Sequence, residues 1–168
     1  MKNLLSILIL GMCLFSCSKE RHCPNFPEEL ESFIPYELND TIRFDTGYDT
    51  IEFIIFNYRK YDKEIISRNC DCDCGTYIEI EASYQDTLLF YRINSSDYWK
   101  EINFYLSFGV KSGINASNII DTIPYKDQYG IYDQCVILND NKNSIVVAKN
   151  YGIIRVILDN GETWTLIE

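Results

Sequence analysis

Three cysteines alternate with two aspartates at Cys70-Asp71-Cys72-Asp73-Cys74, the densest group of reactive side chains in the chain. In an extended strand a spacing of two puts all three thiols on one face, on the side of Thr76, Ile78 and Ile80, unless Gly75 marks a bulge that reverses the phase. Thiolates bind soft ions such as zinc or copper(I), and Cys23 or Cys135 could add a ligand. The spacing speaks against that use: a zinc ribbon sets two residues between paired cysteines so that both sulfurs reach one ion. In an oxidising compartment the same thiols form disulfides, with Cys23 and Cys135 as partners from elsewhere in the fold. With Cys17 set aside, the set Cys23, Cys70, Cys72, Cys74 and Cys135 is odd, so at least one thiol is free or pairs between chains.

A second pattern is Asp-Thr-apolar, at Asp40-Thr41-Ile42, Asp49-Thr50-Ile51, Asp86-Thr87-Leu88 and Asp121-Thr122-Ile123. Average composition would give about half an occurrence in a chain this size. Its plainer reading is local: Asp closes a turn, and Thr followed by an apolar residue opens a strand.

Catalytic machinery is sparse. His22 is the only histidine and lies before the folded part, so a Ser-His-Asp or Cys-His arrangement has no base inside the domain. No Gly-rich phosphate loop or HExxH segment occurs. Glu79 and Glu81 alternate onto what should be the wet face of a strand, where solvated charges are ordinary. No enzymatic activity and no cofactor are therefore expected. Tyrosine is abundant, at Tyr84, Tyr91, Tyr98, Tyr105, Tyr125, Tyr129 and Tyr132 among others. Such rings could stack on sugars or hold a peptide, or simply fill half-buried strand positions.

The elements that must carry these residues are mostly strands. Pro27 with Glu28 and Glu29 suits the first turn of a short helix through Phe33, which Pro35 ends. Beyond it, β-branched and aromatic runs alternate with turn formers. Strands are expected at 40–44 and 49–58 around Gly47, at 76–84, 87–93, 98–108, 131–138 and 144–149, and in a closing hairpin, 153–158 with 163–167, around Asn160-Gly161. Residues 109–130, rich in Gly, Ser, Asn and Lys, read as a long loop. The expected fold is all-β: a single antiparallel β-sandwich or partly open β-barrel with a short N-terminal helix, spanning 26–168.

The start of the chain has its own logic. Met1-Lys2-Asn3 precedes an apolar run from Leu4 to Phe15, too short for a stable membrane span but suited to a secretory signal. Leu14-Phe15-Ser16-Cys17 resembles the lipobox of bacterial lipoproteins, with Phe15 in place of the usual small residue. That resemblance implies a signal peptide over 1–16, cleavage before Cys17, lipid on the Cys17 thiol, and a lipidated tether over 17–25. Acyl chains bury at about 0.8 kcal/mol per CH₂, so a multiply acylated Cys17 anchors without a transmembrane helix.

Cleavage would remove one cation, Lys2, and no acid, leaving 14 basic against 25 acidic residues, a net charge of −11. With its basic residues scattered, such a chain lacks the clustered positive face that nucleic acid requires.

Cys23-Pro24-x-Phe26-Pro27 leading to Phe33-Ile34-Pro35-Tyr36, then Ile42-Arg43-Phe44 and Asp49-Thr50-Ile51-x-Phe53, resembles small uncharacterised lipoproteins of the Bacteroidetes. The ending Val147-Ala148-Lys149-Asn150-Tyr151-Gly152-Ile153-Ile154, with Trp164, is similar to the last strands of such proteins. The resemblance imports no activity. It implies the cell envelope: Ser18 after Cys17 allows delivery to the outer membrane, and Lys19-Glu20 only faintly echoes a surface-export signal, leaving either face of that membrane open. It also implies that Thr41, Thr50, Thr87 and Thr122 are O-glycosylation acceptors. The functional expectation is a lipid-anchored, non-enzymatic module that binds an envelope protein, a glycan or an apolar ligand, using the sheet or the loop 109–130. The alternative is a metal-handling lipoprotein using Cys70, Cys72 and Cys74.

Overall fold

The computed structural model describes residues 25–68, 71–96, 100–108, 111–128, 130–140 and 142–167; for 62–68, 71–74, 96, 108, 111–115, 117 and 119 it describes the backbone alone. The fold is all-β and antiparallel. Eleven strands form one sheet in the order β6-β5-β4-β3-β2-β1-β11-β10-β9-β8-β7. They are β1 (Thr41–Asp45), β2 (Thr50–Arg68), β3 (Asp71–Tyr84), β4 (Thr87–Ser96), β5 (Lys100–Phe108), β6 (Lys111–Ile119), β7 (Ile123–Lys126), β8 (Ile131–Asp140), β9 (Asn143–Ala148), β10 (Gly152–Ile157) and β11 (Thr163–Ile167). The sheet curls until β6 lies against β8, where the Asn118 side chain donates to the Ile137 carbonyl at 2.9 Å. No ladder joins them among the described residues, so the barrel stays partly open.

Alternation builds the core. Ile78, Ile80 and Ala82 on β3, Leu89, Tyr91 and Ile93 on β4, and Ile102, Phe104 and Leu106 on β5 all point inward and are buried. Phe44, Phe53 and Trp164 meet as an aromatic cluster with ring centroids 6.1–6.2 Å apart. Truncating any one of these rings to alanine removes a large buried area, at about 3–5 kcal/mol.

The N-terminal segment lies across one end of the barrel. Helix α1 (Glu28–Glu31) is shorter than the sequence suggests: Pro27 is its N-cap rather than its first helical residue, and it ends at Glu31, four residues before Pro35. Phe26, Leu30, Phe33 and Ile34 are buried against the core. The segment is pinned all round the rim. Glu31 pairs with Lys60 on β2, Glu29 with Lys100 on β5, the Tyr91 hydroxyl of β4 donates to the Phe33 carbonyl at 3.0 Å, and the Tyr36 hydroxyl accepts from the Ile153 N–H at 2.8 Å.

Tight turns close the hairpins where expected. Gly47 and Gly161 take positive φ of 82° and 84°. Thr46 and Asp49 bond reciprocally across the first turn, the Thr46 hydroxyl donating to the Asp49 carbonyl and accepting from the Asp49 N–H.

Two expectations fail. Residues 109–130 are not a long loop, since β6 and β7 occupy much of that stretch; β6 pairs with β5 through Ile102↔Asn118 and Phe104↔Ala116. Gly113, Asn115, Ser117 and Asn118 lack the apolar alternation that marks a strand, yet pairing with β5 supplies the backbone partners they need. The second concerns length: β2 reaches Arg68 and β3 begins at Asp71, far beyond the expected 49–58 and 76–84. Past Gly75↔Ser96, β3 pairs with β2 alone among the described residues, as a two-stranded ribbon.

Candidate functional site

Outward-facing residues of β2 to β5 form a polar and aromatic surface. The two-residue turn Gln85-Asp86 sets the β3–β4 register, placing Glu79 opposite Arg92, Tyr77 opposite Asn94, and Glu81 opposite Phe90. On the other side, β2 places Arg59 opposite Glu79 and Tyr61 opposite Tyr77, and β5 places Asn103 opposite Arg92 and Tyr105 opposite Phe90. Cross-strand neighbours on one face lie close enough to interact directly.

Glu79 is the centre of this surface. It was expected as a solvated surface charge; instead it is only 5% exposed. Arg59 Nη1 lies 3.3 Å from its Oε1 and Arg92 Nη1 lies 3.6 Å from its Oε2. The two long arginine side chains from neighbouring strands cover the carboxylate, so the outer face shields a charge that alternation alone would leave wet. Arg92 is fixed further. Its Nε donates to Asn94 Oδ1 at 2.6 Å, and its guanidinium carbon sits 3.7 Å over the Tyr77 ring, which stacks on Tyr61 at 4.6 Å. Glu81, half-buried, accepts from the Asn57 amide at 2.7 Å. Burial, with Glu79 nearby, holds the Tyr77 phenol above its ordinary pKa, so its hydroxyl remains a donor.

Beside this stack runs a shallow groove of about 470 Å³, lined by Phe90, Arg92, Asn94, Glu101, Asn103 and Tyr105, among others. It offers an exposed ring, two amides, a guanidinium and a carboxylate, with no nucleophile set beside a base. Among the described residues no three His, Cys, Asp or Glu side chains gather as a metal site. The arrangement can bind through stacking and hydrogen bonds.

Of the residues singled out by sequence, Glu79, Glu81 and Tyr105 lie on this face, while the cysteines and the Asp-Thr threonines fall elsewhere. Cys17, Cys23 and Cys70 lie outside the described residues, as do Tyr98 and Tyr129. Cys72 and Cys74 sit on the ribbon opposite Ser67 and Ile65; Gly75 makes no bulge in β3, and the register shift lies across the ladder on β2, between Tyr61 and Glu64. Cys135 is not placed to join them. It is a free, buried thiol on β8, with five strands between it and β3 in sheet order, packed with Val146, Ala148 and Ile154. Burial, then Asp127 and Asp133, push its pKa to about 11, which keeps it protonated and inert. Thr41, Thr50 and Thr87 open β1, β2 and β4, and Thr122 immediately precedes β7. All four aspartates before them are exposed, as are Thr50 and Thr122, while Thr41 and Thr87 are half-buried.

The Arg59–Glu79–Arg92 pairing and the Tyr61–Tyr77–Arg92 stack went unread in the sequence, although the signal was there. A two-residue turn at Gln85-Asp86 fixes which outward residue of β3 meets which of β4.

No protein-family model matches the chain, and comparison with curated proteins and with solved structures gives no match.

Proposed function

We propose that this protein is a lipid-anchored module of the bacterial cell envelope that binds a neutral glycan, without catalysis, on the outer face of β2 to β5. The observation that carries this reading is the prefixed stack of Tyr61, Tyr77 and Arg92, locked by Asn94 and the buried Glu79, beside the groove that bears Tyr105 and Asn103. A rigid aromatic and amide surface recognises hydroxyl-rich ligands at little entropic cost. The polar lining disfavours an apolar ligand. The charges facing outward nearly cancel, with Arg59 and Arg92 against Glu79, Glu81 and Glu101, which suits an uncharged sugar better than a phosphate polymer.

The anchor follows from Leu14-Phe15-Ser16-Cys17. No helix among the described residues is long and apolar enough to cross a membrane. Nine residue steps lead from Cys17 to Phe26, a reach of about 30 Å at full extension. Phe26 belongs to the segment across one barrel end, so the lipid would hold that end toward the bilayer. The turns at 45–50 and 158–162 would then face away. Thr50 and Thr122, exposed behind exposed aspartates, are the acceptors that an envelope glycosyltransferase would reach first.

The test is binding of the mature protein to an array of neutral envelope oligosaccharides, with Tyr105→Ala and Asn103→Ala as variants. Saturable binding that falls at least about tenfold in either variant supports the reading. Binding indifferent to both variants, or none, rejects it.

A further inference from the structure

A concavity of about 840 Å³ lies on the opposite half of the sheet. It forms where two hairpin turns, 45–48 and 160–163, and the tip of the β7–β8 hairpin at Gln128 converge over Arg155 and Thr165. That hairpin folds over the outer face of β9 to β11, where Tyr125 and Tyr132 cover Val146, Ala148 and Ile154. A register shift between Ile153 and Arg155 turns both Ile154 and Arg155 outward opposite Val146.

Arg155 differs from the other arginines whose side chains are described. Arg43 pairs with Glu52 at 2.8 Å, and Arg59 and Arg92 share Glu79. Arg155 is half-buried and, among the described residues, pairs with no carboxylate. Its Nη1 donates to the Tyr125 hydroxyl at 2.9 Å, and its Nε is buried without a hydrogen-bond partner. A partly desolvated cation without a counter-charge is costly unless a ligand supplies one. The rest of the groove is rich in hydroxyls and amides, from Thr163, Thr165, Gln128 and Asn160, and Tyr48 at its rim is 98% exposed.

Two acids also line it. Asp45 Oδ1 accepts from the Gly47 N–H at 2.7 Å, and Glu162 accepts from the Trp164 indole at 2.7 Å and the Asn160 amide at 3.3 Å. Their charges disfavour a phosphate or sulfate dianion but leave lone pairs for sugar hydroxyls. The net negative charge of the chain does not exclude a monoanion here, since repulsion beyond about 8 Å is screened at physiological ionic strength.

We propose that this groove is a second ligand site, which takes the carboxylate of an acidic sugar, a uronic acid, onto the Arg155 guanidinium. The Tyr125 hydroxyl holds that guanidinium in place, and Tyr48 with the turn hydroxyls and amides receives the sugar ring. The site stands apart from the β2–β5 face, and neither reading depends on the other.

The experiment is titration of the ¹⁵N-labelled mature protein with glucuronic acid, glucose and acetyl-alanine, following the arginine Nε–H signals and backbone amides. Glucuronic acid is expected to shift Arg155 and residues 45–48 and 160–163, and to bind about tenfold more tightly than glucose. Arg155→Gln should abolish that preference, while Tyr125→Phe, which keeps the charge but frees the guanidinium, should weaken glucuronic acid a few-fold. A preserved melting temperature in both variants shows that the fold is intact. Equal binding of glucose and glucuronic acid, no binding of either, or a preference that survives Arg155→Gln overturns the proposal. Acetyl-alanine binding as tightly as glucuronic acid overturns its sugar part.

Discussion

The two halves of the sheet solve the same problem differently. Each presents arginine on its outer face, two on one half and one on the other. On β2 to β4, Arg59 and Arg92 close on a shared carboxylate, Glu79, and the surface satisfies itself. On β8 to β11 a folded-back hairpin builds a small second core around Cys135, Val146 and Ile154, and Arg155 at its margin has no acid partner among the described residues. Self-satisfied charges fix a rigid platform, whereas the unpaired one is the group on which the proposed uronic-acid site rests. Strand alternation specifies neither outcome, because what decides it is which side chain lies one strand over.

The sharpest way to break the comparison is to strip the platform of its cations. Arg59→Ala with Arg92→Ala removes both charge-assisted contacts and the side chains that cover Glu79, and should cost about 3–4 kcal/mol by denaturant unfolding, whereas Arg155→Ala should cost less than about 1 kcal/mol. Similar losses in both would mean that the halves do not differ.

Next in size is the backbone that carries Arg155. Gly152 opens β10 at φ 72°, and a Cβ there would overlap the Tyr36 ring. Gly152→Ala should cost about 2–4 kcal/mol, from overpacking plus left-handed strain. Gly161, at φ 84° with open space around it, should cost only about 1–2 kcal/mol when changed to alanine. Thermal unfolding of the two variants separates crowding from strain.

The second core also predicts a pH response. The Cys135 thiol ionises near 9.0 in the unfolded chain and near 11 in the folded one. Between those values the unfolded state binds fewer protons, so stability is complete below pH 9 and declines as pH rises toward 11. Burial raises the Tyr36 and Tyr91 phenols too, which extends the decline above pH 10. Cys135→Ala should flatten the first part of that decline and leave the second, as read from denaturation midpoints across the range. The smallest expected effect is a gain: Gln85 sits at φ 51° in the turn that sets the platform, and Gln85→Gly should stabilise by about 1 kcal/mol.

Much of the fold was legible in the residues. Gly47, Asn160-Gly161 and the Ile78-x-Ile80-x-Ala82 alternation locate turns and strands that the structure contains. β6 was hidden because Gly113, Asn115 and Ser117 look like loop residues, and only the partner β5 makes them a strand. The site was half legible. The outward identity of Tyr77, Glu79 and Arg92 follows from period two, but the burial of Glu79 depends on two arginines meeting it from opposite sides, which needs both registers at once. Arg155 gave no signal, since its exposure follows from a bulge and its isolation from the absence of a carboxylate on neighbouring strands.

The most direct measurement is backbone-amide mapping of the mature protein with a neutral oligosaccharide identified on the array. Shifts concentrated on the outward residues of β3 to β5, and abolished by Tyr105→Ala, are the result predicted here. Shifts confined to the turns at 45–48 and 160–163, or spread without pattern while β3 to β5 stay silent, would contradict a glycan-binding platform.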